Sequence, residues 1–246
     1  MNSYSSDYLA KLQGKVSFTH LDDSTSQGDF HHRNREKAYE LLMERIPRQD
    51  RVIDLGCSTG SWVDTWRRLG IQELIGADPN SNVERKASAA FDKFYCLDAV
   101  KLSLLLSEEK FIVANAVTIH ITELEDLLAF FNAVNLMLEK NGIFMVTFVN
   151  PDRYLGARTY GLRGETFSLY SIENNLAFLE ESGFRIDFLV GTFIEPWSTP
   201  NFDFLANSDV FTRNENLWRP FSLLSDLLRD KVPSEFTEIL VLCRKI

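Results

Sequence analysis

Short runs of consecutive apolar residues recur along the chain, separated by stretches in which apolar positions repeat every three or four residues. RVIDLG (51–56), ELIGAD (73–78), KFYCLD (93–98), FIVANAV (111–117), GIFMVTFV (142–149), FRIDFLVGTF (184–193) and TEILVLCRKI (237–246) have the length of buried strands and their β-branched or aromatic content. Helical spacing lies between them. Ala38, Leu41, Leu42 and Ile46 mark a helix from about Asn34 that Pro47 closes, and Trp62, Val63, Trp66 and Leu69 mark one that stops at Gly70. Thr122-Glu123-Leu124-Glu125 reads as a capping box opening a long helix, with Leu124, Leu127, Leu128, Phe131 and Leu138 on one face and Gly142 at its end. SIENNLAFLEES, stopped by Gly183, and PFSLLSDLLRD, with Pro220 in its first turn, predict two more.

Strands alternating with helices at this spacing predict an α/β fold, a doubly wound and mostly parallel sheet, because parallel neighbours need a crossover connection. Residues 1–33 are polar and read as an N-terminal arm; 34–246 form one domain, with insertions at about 150–170 and 195–234 where the rhythm loosens.

Composition narrows the function. The chain of 246 residues is 45% hydrophobic and 25% charged, which is ordinary for a globular domain, and its net charge of −9 argues against duplex nucleic acid or an anionic membrane as partner. Its three cysteines, Cys57, Cys96 and Cys243, are widely spaced, so a cytoplasmic setting without disulfides or a zinc site is expected. No metal-ligand cluster, signal peptide or membrane span is read from the sequence.

The chemistry concentrates in VIDLGCSTGSW (52–62). Gly56-Cys57-Ser58-Thr59-Gly60 satisfies G-x-S-x-G, the nucleophile elbow of serine hydrolases, with Ser58 attacking. That fold needs an acid and then a histidine later in the chain, and the sole histidine after Ser58 is His120, in the middle of the strand order. The same stretch also reads as a nucleotide cradle: a glycine turn lets backbone approach a ligand at the carboxyl ends of the strands. Three successive strands end in Asp54, Asp78 and Asp98, acids able to hold a cationic amine, a ribose diol and an adenine amino group in one crevice.

On these motifs the chain resembles the class I S-adenosylmethionine-dependent methyltransferases. VIDLGCSTG resembles their first motif, GADPN the ribose-binding acid, LDA (97–99) the adenine position, ANAVTIHITELED the strand-four motif, and NLMLEKNGIFMVTF the turn before strand five. Ser58 replaces the family's middle glycine, and the strand-five turn lacks the family's proline and second glycine.

The resemblance implies seven strands with the last one antiparallel, helices on both faces and a substrate lid from the two insertions. It implies S-adenosylmethionine as cofactor, held by Asp54, Gly56, Cys57, Ser58, Gly60, Asp78, Pro79, Asp98, Ala99 and Asn115. Asp98 reads equally as a helix N-cap. His120 is the candidate general base, with a structural histidine as the alternative; Arg153, Tyr160 and Trp197 are candidate substrate contacts. His31, His32, Arg33 and Arg35, read as preceding the first helix, are candidates to line the cofactor carboxylate. The expected acceptor is a small molecule; a catalytically silent cofactor-binding module and a cap-type methyltransferase are the alternatives.

Overall fold

The computed structural model describes residues 26–121, 123–153, 170–195 and 215–246. Their order is α1 (Ser26–Met43), β1 (Arg51–Leu55), α2 (Val63–Arg68), β2 (Glu73–Ala77), α3 (Glu84–Ala90), β3 (Lys93–Tyr95), α4 (Ala99–Leu102), β4 (Glu109–Ala114), α5 (Leu124–Met137), β5 (Leu138–Val149), α6 (Ile172–Glu181), β6 (Phe184–Phe193), α7 (Glu215–Leu228) and β7 (Glu238–Lys245). Short 3-10 turns stand at Ser81–Val83, Thr118–His120 and Pro233–Glu235.

All seven strands form one sheet in the order β3-β2-β1-β4-β5-β7-β6. β1 through β5 pair in parallel, and β7 inserts antiparallel between β5 and β6. The seven-stranded, doubly wound architecture expected from the sequence is the one observed. Alternation along each strand divides the core into two layers. Val52, Phe111, Val113, Ile143, Met145, Leu240 and Leu242 face Tyr39 and Leu42 of α1 and Trp66 of α2. Ile53, Leu55, Ile112, Phe144, Val146 and Val241 face Phe130, Phe131, Val134 and Met137 of α5. Burying large side chains on both faces contributes about 1.5–3 kcal/mol each, which is why these strands read as continuous apolar runs.

Several boundaries differ from the sequence reading; β3 ends at Tyr95, three residues before Asp98, and β4 runs from Glu109 to Ala114 rather than over 111–117. α1 begins at Ser26 rather than near Asn34, since Phe30 and His31 continue its buried face against Phe193 and Trp218. β5 begins at Leu138, four residues before Gly142, because Leu138 pairs with Glu109 and a bulge with Asn141 at φ 64° resets the register to Phe111↔Ile143. Gly142 therefore lies inside a strand rather than at a helix end. α5 starts at Leu124 with Glu123 as its N-cap and no side-chain cap bond from it; Thr122 of the predicted capping box lies outside the described residues. Pro220 sits inside α7, beyond its first turn.

The far end of the sheet is knitted by buried polar groups. Arg229 is 4% exposed and donates to the carbonyls of Asn34, Gly191 and Thr192 and to the Asp226 carboxylate, tying α1, β6 and the end of α7 together. Gly191 permits a close approach of Phe236: a Cβ there would stand 2.1 Å from the ring, which is fully buried. Gly191→Ala is expected to lower unfolding free energy by about 3 kcal/mol through this overpacking. Urea unfolding should show it as a reduced midpoint at unchanged slope.

Candidate active site

Strand order reverses between β1 and β4, and at such a switch point the connections leave the sheet on opposite sides and open a crevice at the carboxyl ends of the strands. The residues of VIDLGCSTGSW that follow β1 enter that crevice. Gly56 turns at φ 68° and its N–H donates to the Ala77 carbonyl at 2.7 Å; the Cys57 N–H donates to the same oxygen at 3.2 Å. A side chain on Gly56 would run into Val117, 2.5 Å from its Cβ, so glycine is required twice over, by φ and by space. Ser58 is itself left-handed at φ 50° and Gly60 stands at φ 92°. The Ser58 N–H thereby points to the end of β2 and donates to Asp78 Oδ2 at 2.9 Å, while Asp78 Oδ1 accepts from the Asn80 N–H at 2.8 Å.

Asp78 is thus oriented by two backbone donors, one on each oxygen, and each oxygen keeps a further lone pair. Burial pushes its carboxyl above the usual range, against the two donated bonds. Asp54, opposite Gly76 in the β1–β2 ladder, is 2% exposed and accepts from Trp66 Nε1 at 2.9 Å. Burial holds its carboxyl up to about 7, with the Trp66 bond opposing and the Asp78 charge adding. Pro79 follows Asp78 directly in the same turn.

Asp98 accepts from the Lys101 N–H at 2.9 Å and caps α4, with Lys101 Nζ 3.2 Å away. Its carboxyl is buried, with Ala99 buried beside it. The Tyr95 carbonyl, three residues before Asp98, accepts from the Asp78 N–H at 3.2 Å. Asn115 follows the last residue of β4, itself paired with Leu55 of β1. Cys57 contributes backbone rather than thiol chemistry: its side chain is buried, and burial raises the thiol well above its ordinary value.

Three polar atoms around this crevice are buried without a hydrogen-bond partner: Ser58 Oγ, Asn115 Oδ1 and Tyr39 Oη. An unsatisfied buried group costs about 1–3 kcal/mol. Together with the glycine turn and the oriented Asp78, they fit a polar ligand of nucleoside and amino-acid character. Ser58 Oγ makes no hydrogen bond to a histidine, so the geometry lacks the base that a hydrolase elbow requires.

Beyond the crevice β5, β7 and β6 run on, through Val149↔Glu238↔Phe193, three residues past the Ala114↔Val146 level. At about 3.3 Å per residue this makes a wall of about 10 Å. Its buried polar groups were missed or misplaced by the sequence reading. Arg35, inside α1 rather than before it, forms two bonds to Glu238 at 2.7 and 2.6 Å, and His31 Nε2 lies 2.9 Å from Glu195. His32 packs tilted against Trp62, 4.5 Å between ring centroids, and lies 3.2 Å from Glu36. Helical spacing of polar groups on an otherwise apolar face was the available signal, as His31, Arg35 and Tyr39 recur every four residues.

His120 closes the 3-10 turn after β4, half-buried, with Asn115 five residues earlier. Arg153 is paired with Glu235. Tyr160 and Trp197 lie outside the described residues, as do residues 154–169 of the first predicted insertion and 196–214 of the second. Among the described residues no cluster of three or more His, Cys, Asp or Glu side chains could hold a metal ion, and no helix is long and apolar enough to cross a membrane.

Comparison with known proteins bears on the same region. A family profile described as a methyltransferase domain matches residues 30–187. No curated protein matches the chain by sequence. Among solved structures, a chain in the complex of the Haloferax volcanii Trm112 methyltransferase activator with a methyltransferase is similar at TM-score 0.60 and 14% identity, covering 97% of this chain and 94% of that one. The magnesium protoporphyrin IX methyltransferase of Synechocystis, solved with bound S-adenosylhomocysteine, gives TM-score 0.56 at 12% identity, covering 98% and 93%. An S-adenosylmethionine-dependent methyltransferase from Mesorhizobium loti gives 0.56 at 17%, covering 85% and 98%. At such identities these structures show the fold, and the family follows from the profile, which spans well over half the chain and contains β1 through α6. The chain belongs to the methyltransferase-domain family and is a class I S-adenosylmethionine-dependent methyltransferase.

Proposed function

We propose that this methyltransferase acts on a small-molecule acceptor, at oxygen or nitrogen, with the cofactor in the strand-end crevice and the acceptor against the β5–β7–β6 wall. The observation that supports it best is the Asp78 carboxylate, fixed by the Ser58 and Asn80 N–H groups beside a glycine turn. Two oxygens presented together suit a ribose diol. Asp54 receives the amino group, Asp98 and Ala99 flank the adenine, and the backbone of Gly56, Cys57, Ser58 and Gly60 borders the remainder, with Pro79 and Asn115 at its edges. S-Adenosylmethionine, when bound, supplies a methyl group on a positively charged sulfur for in-line transfer.

The protein's own part is alignment and exclusion of water. Holding two reacting groups in place is capable of contributing roughly 7–11 kcal/mol in favourable cases. Trp62 and Trp66, buried with Tyr39, give the crevice an apolar side that solvates charge weakly. His120 takes the acceptor proton where the acceptor is a hydroxyl; a neutral amine needs no such base. A small acceptor is favoured over a phosphate polymer because, among the described residues, three arginines of the wall are already paired: Arg35 to Glu238, Arg229 to Asp226 and Arg153 to Glu235. The net charge of −9 points the same way.

Two outcomes are expected. In calorimetric titration S-adenosylhomocysteine binds the wild-type chain, and Asp78→Ala weakens it at least about 100-fold, the loss of two bonds to a charged acceptor; equal affinities, or no binding to either, would contradict the assignment. Affinity also depends on pH. Asp54 must be ionised to hold an ammonium group, and its carboxyl in the free protein sits at about 7. Affinity is therefore expected to fall by up to about tenfold per pH unit below 7 and to level off above it. Linkage to stability has the opposite sign. The folded free chain keeps a proton that the unfolded chain has released between the ordinary value of 3.8 and about 7, so its stability drops as pH rises through that window. The ligand-induced rise in Tm should then be larger at pH 8 than at pH 5.5.

A further inference from the structure

His31, Arg35 and Tyr39 stand at four-residue spacing on α1, which brings them onto one face of the helix, and that face is turned to the sheet. His31 meets Glu195 and Arg35 meets Glu238. Tyr39 is fully buried, and its hydroxyl has no hydrogen-bond partner. Its ring packs edge-on against Trp62 at 5.3 Å and Trp66 at 4.9 Å between centroids, and Trp66 is the residue whose indole N–H holds Asp54. The carboxylates of Asp54 and Glu238 and the guanidinium of Arg35 all act electrostatically on the phenol. Burial first, and then the two carboxylates, push it well above its ordinary value of 10, so the hydroxyl keeps its proton and can donate.

A phenylalanine would fill the same aromatic niche without an orphaned hydroxyl. The tyrosine places a neutral donor near a carboxylate that suits an ammonium group, with the Arg35 cation close by. An amino-acid zwitterion carries the two complementary ends: an ammonium for Asp54 and a carboxylate for Tyr39. Resting on the cofactor placement proposed above, we infer that the Tyr39 hydroxyl donates to the carboxylate of the cofactor's amino-acid end, so that α1, and not the glycine turn alone, fixes the amino-acid arm attached to the sulfur from which the methyl departs. Tyr39 is then a binding and positioning residue supplied from outside the β1–α2 motif.

The test compares S-adenosylmethionine with decarboxylated S-adenosylmethionine, which lacks that carboxylate alone, by calorimetric titration of the full chain and of Tyr39→Phe. Wild type is expected to bind the carboxylated ligand at least about tenfold more tightly. In Tyr39→Phe that preference should shrink about tenfold or more, with the affinity for the decarboxylated ligand within about twofold of wild type. Thermal unfolding of the ligand-free variant should give a Tm equal to or above wild type, because a buried orphan hydroxyl has been removed. An unchanged preference in the variant, or equal weakening of both ligands, overturns the inference while leaving the cofactor placement standing. Equal binding of the two ligands by wild type overturns it without recourse to the variant. Wild type binding neither ligand removes the placement beneath it and the inference as well.

Discussion

Asp54 and Asp78 end adjacent parallel strands with their carboxyls nearly out of solvent, so the sheet holds two acids where a single uncompensated charge is already costly. Local structure answers them differently. Asp78 has a backbone donor on each oxygen, whereas Asp54 has one indole N–H. The first is thereby fixed in orientation, and the second is left at about 7, poised between neutral and charged forms. The positive φ of Gly56 and Ser58, the placement of Trp66 in α2 and the packing of Tyr39 over it all serve this arrangement. A cationic group brought to Asp54 turns its cost into an attraction, which is the electrostatic sense of a methyltransferase crevice built on acids.

Much of this was legible in the sequence, for a physical reason. Strands buried on both faces read as unbroken apolar runs, so the span of β6, Phe184–Phe193, matches the predicted one, and β1, β2 and β7 differ by a residue or two at their ends. An acid at the end of such a run is an interruption that packing alone does not explain, and Asp54, before a glycine turn, and Asp78 stood out on that ground. Asp98 shows the limit of the argument: its carboxylate caps α4, a role that a spacing of residues cannot separate from ligand binding.

What was not legible depends on contacts distant in sequence. Arg35 and Glu238 are 203 residues apart, and nothing in either neighbourhood announces the pair. Leu138 reads as a helical position because it completes the apolar face of α5, yet pairing with Glu109 across the sheet makes it the first residue of β5. His31 and Arg35 were read as preceding the first helix because polar side chains diluted the helical period; they turn inward because acids at the ends of β6 and β7 receive them. The β5–β7–β6 wall is assembled from such long-range pairs, and this is why the strand-end crevice was easier to read than the wall beside it.

The central claim is that the strand-end crevice between β1, β2 and β4 receives the cofactor. A crystal structure of the chain grown with S-adenosylhomocysteine tests it most directly. The account predicts both ribose hydroxyls on the Asp78 carboxylate, the amino group at Asp54 and the adenine beside Asp98. Electron density for the ligand at another edge of the sheet, or a ribose that makes no contact with Asp78, would contradict it.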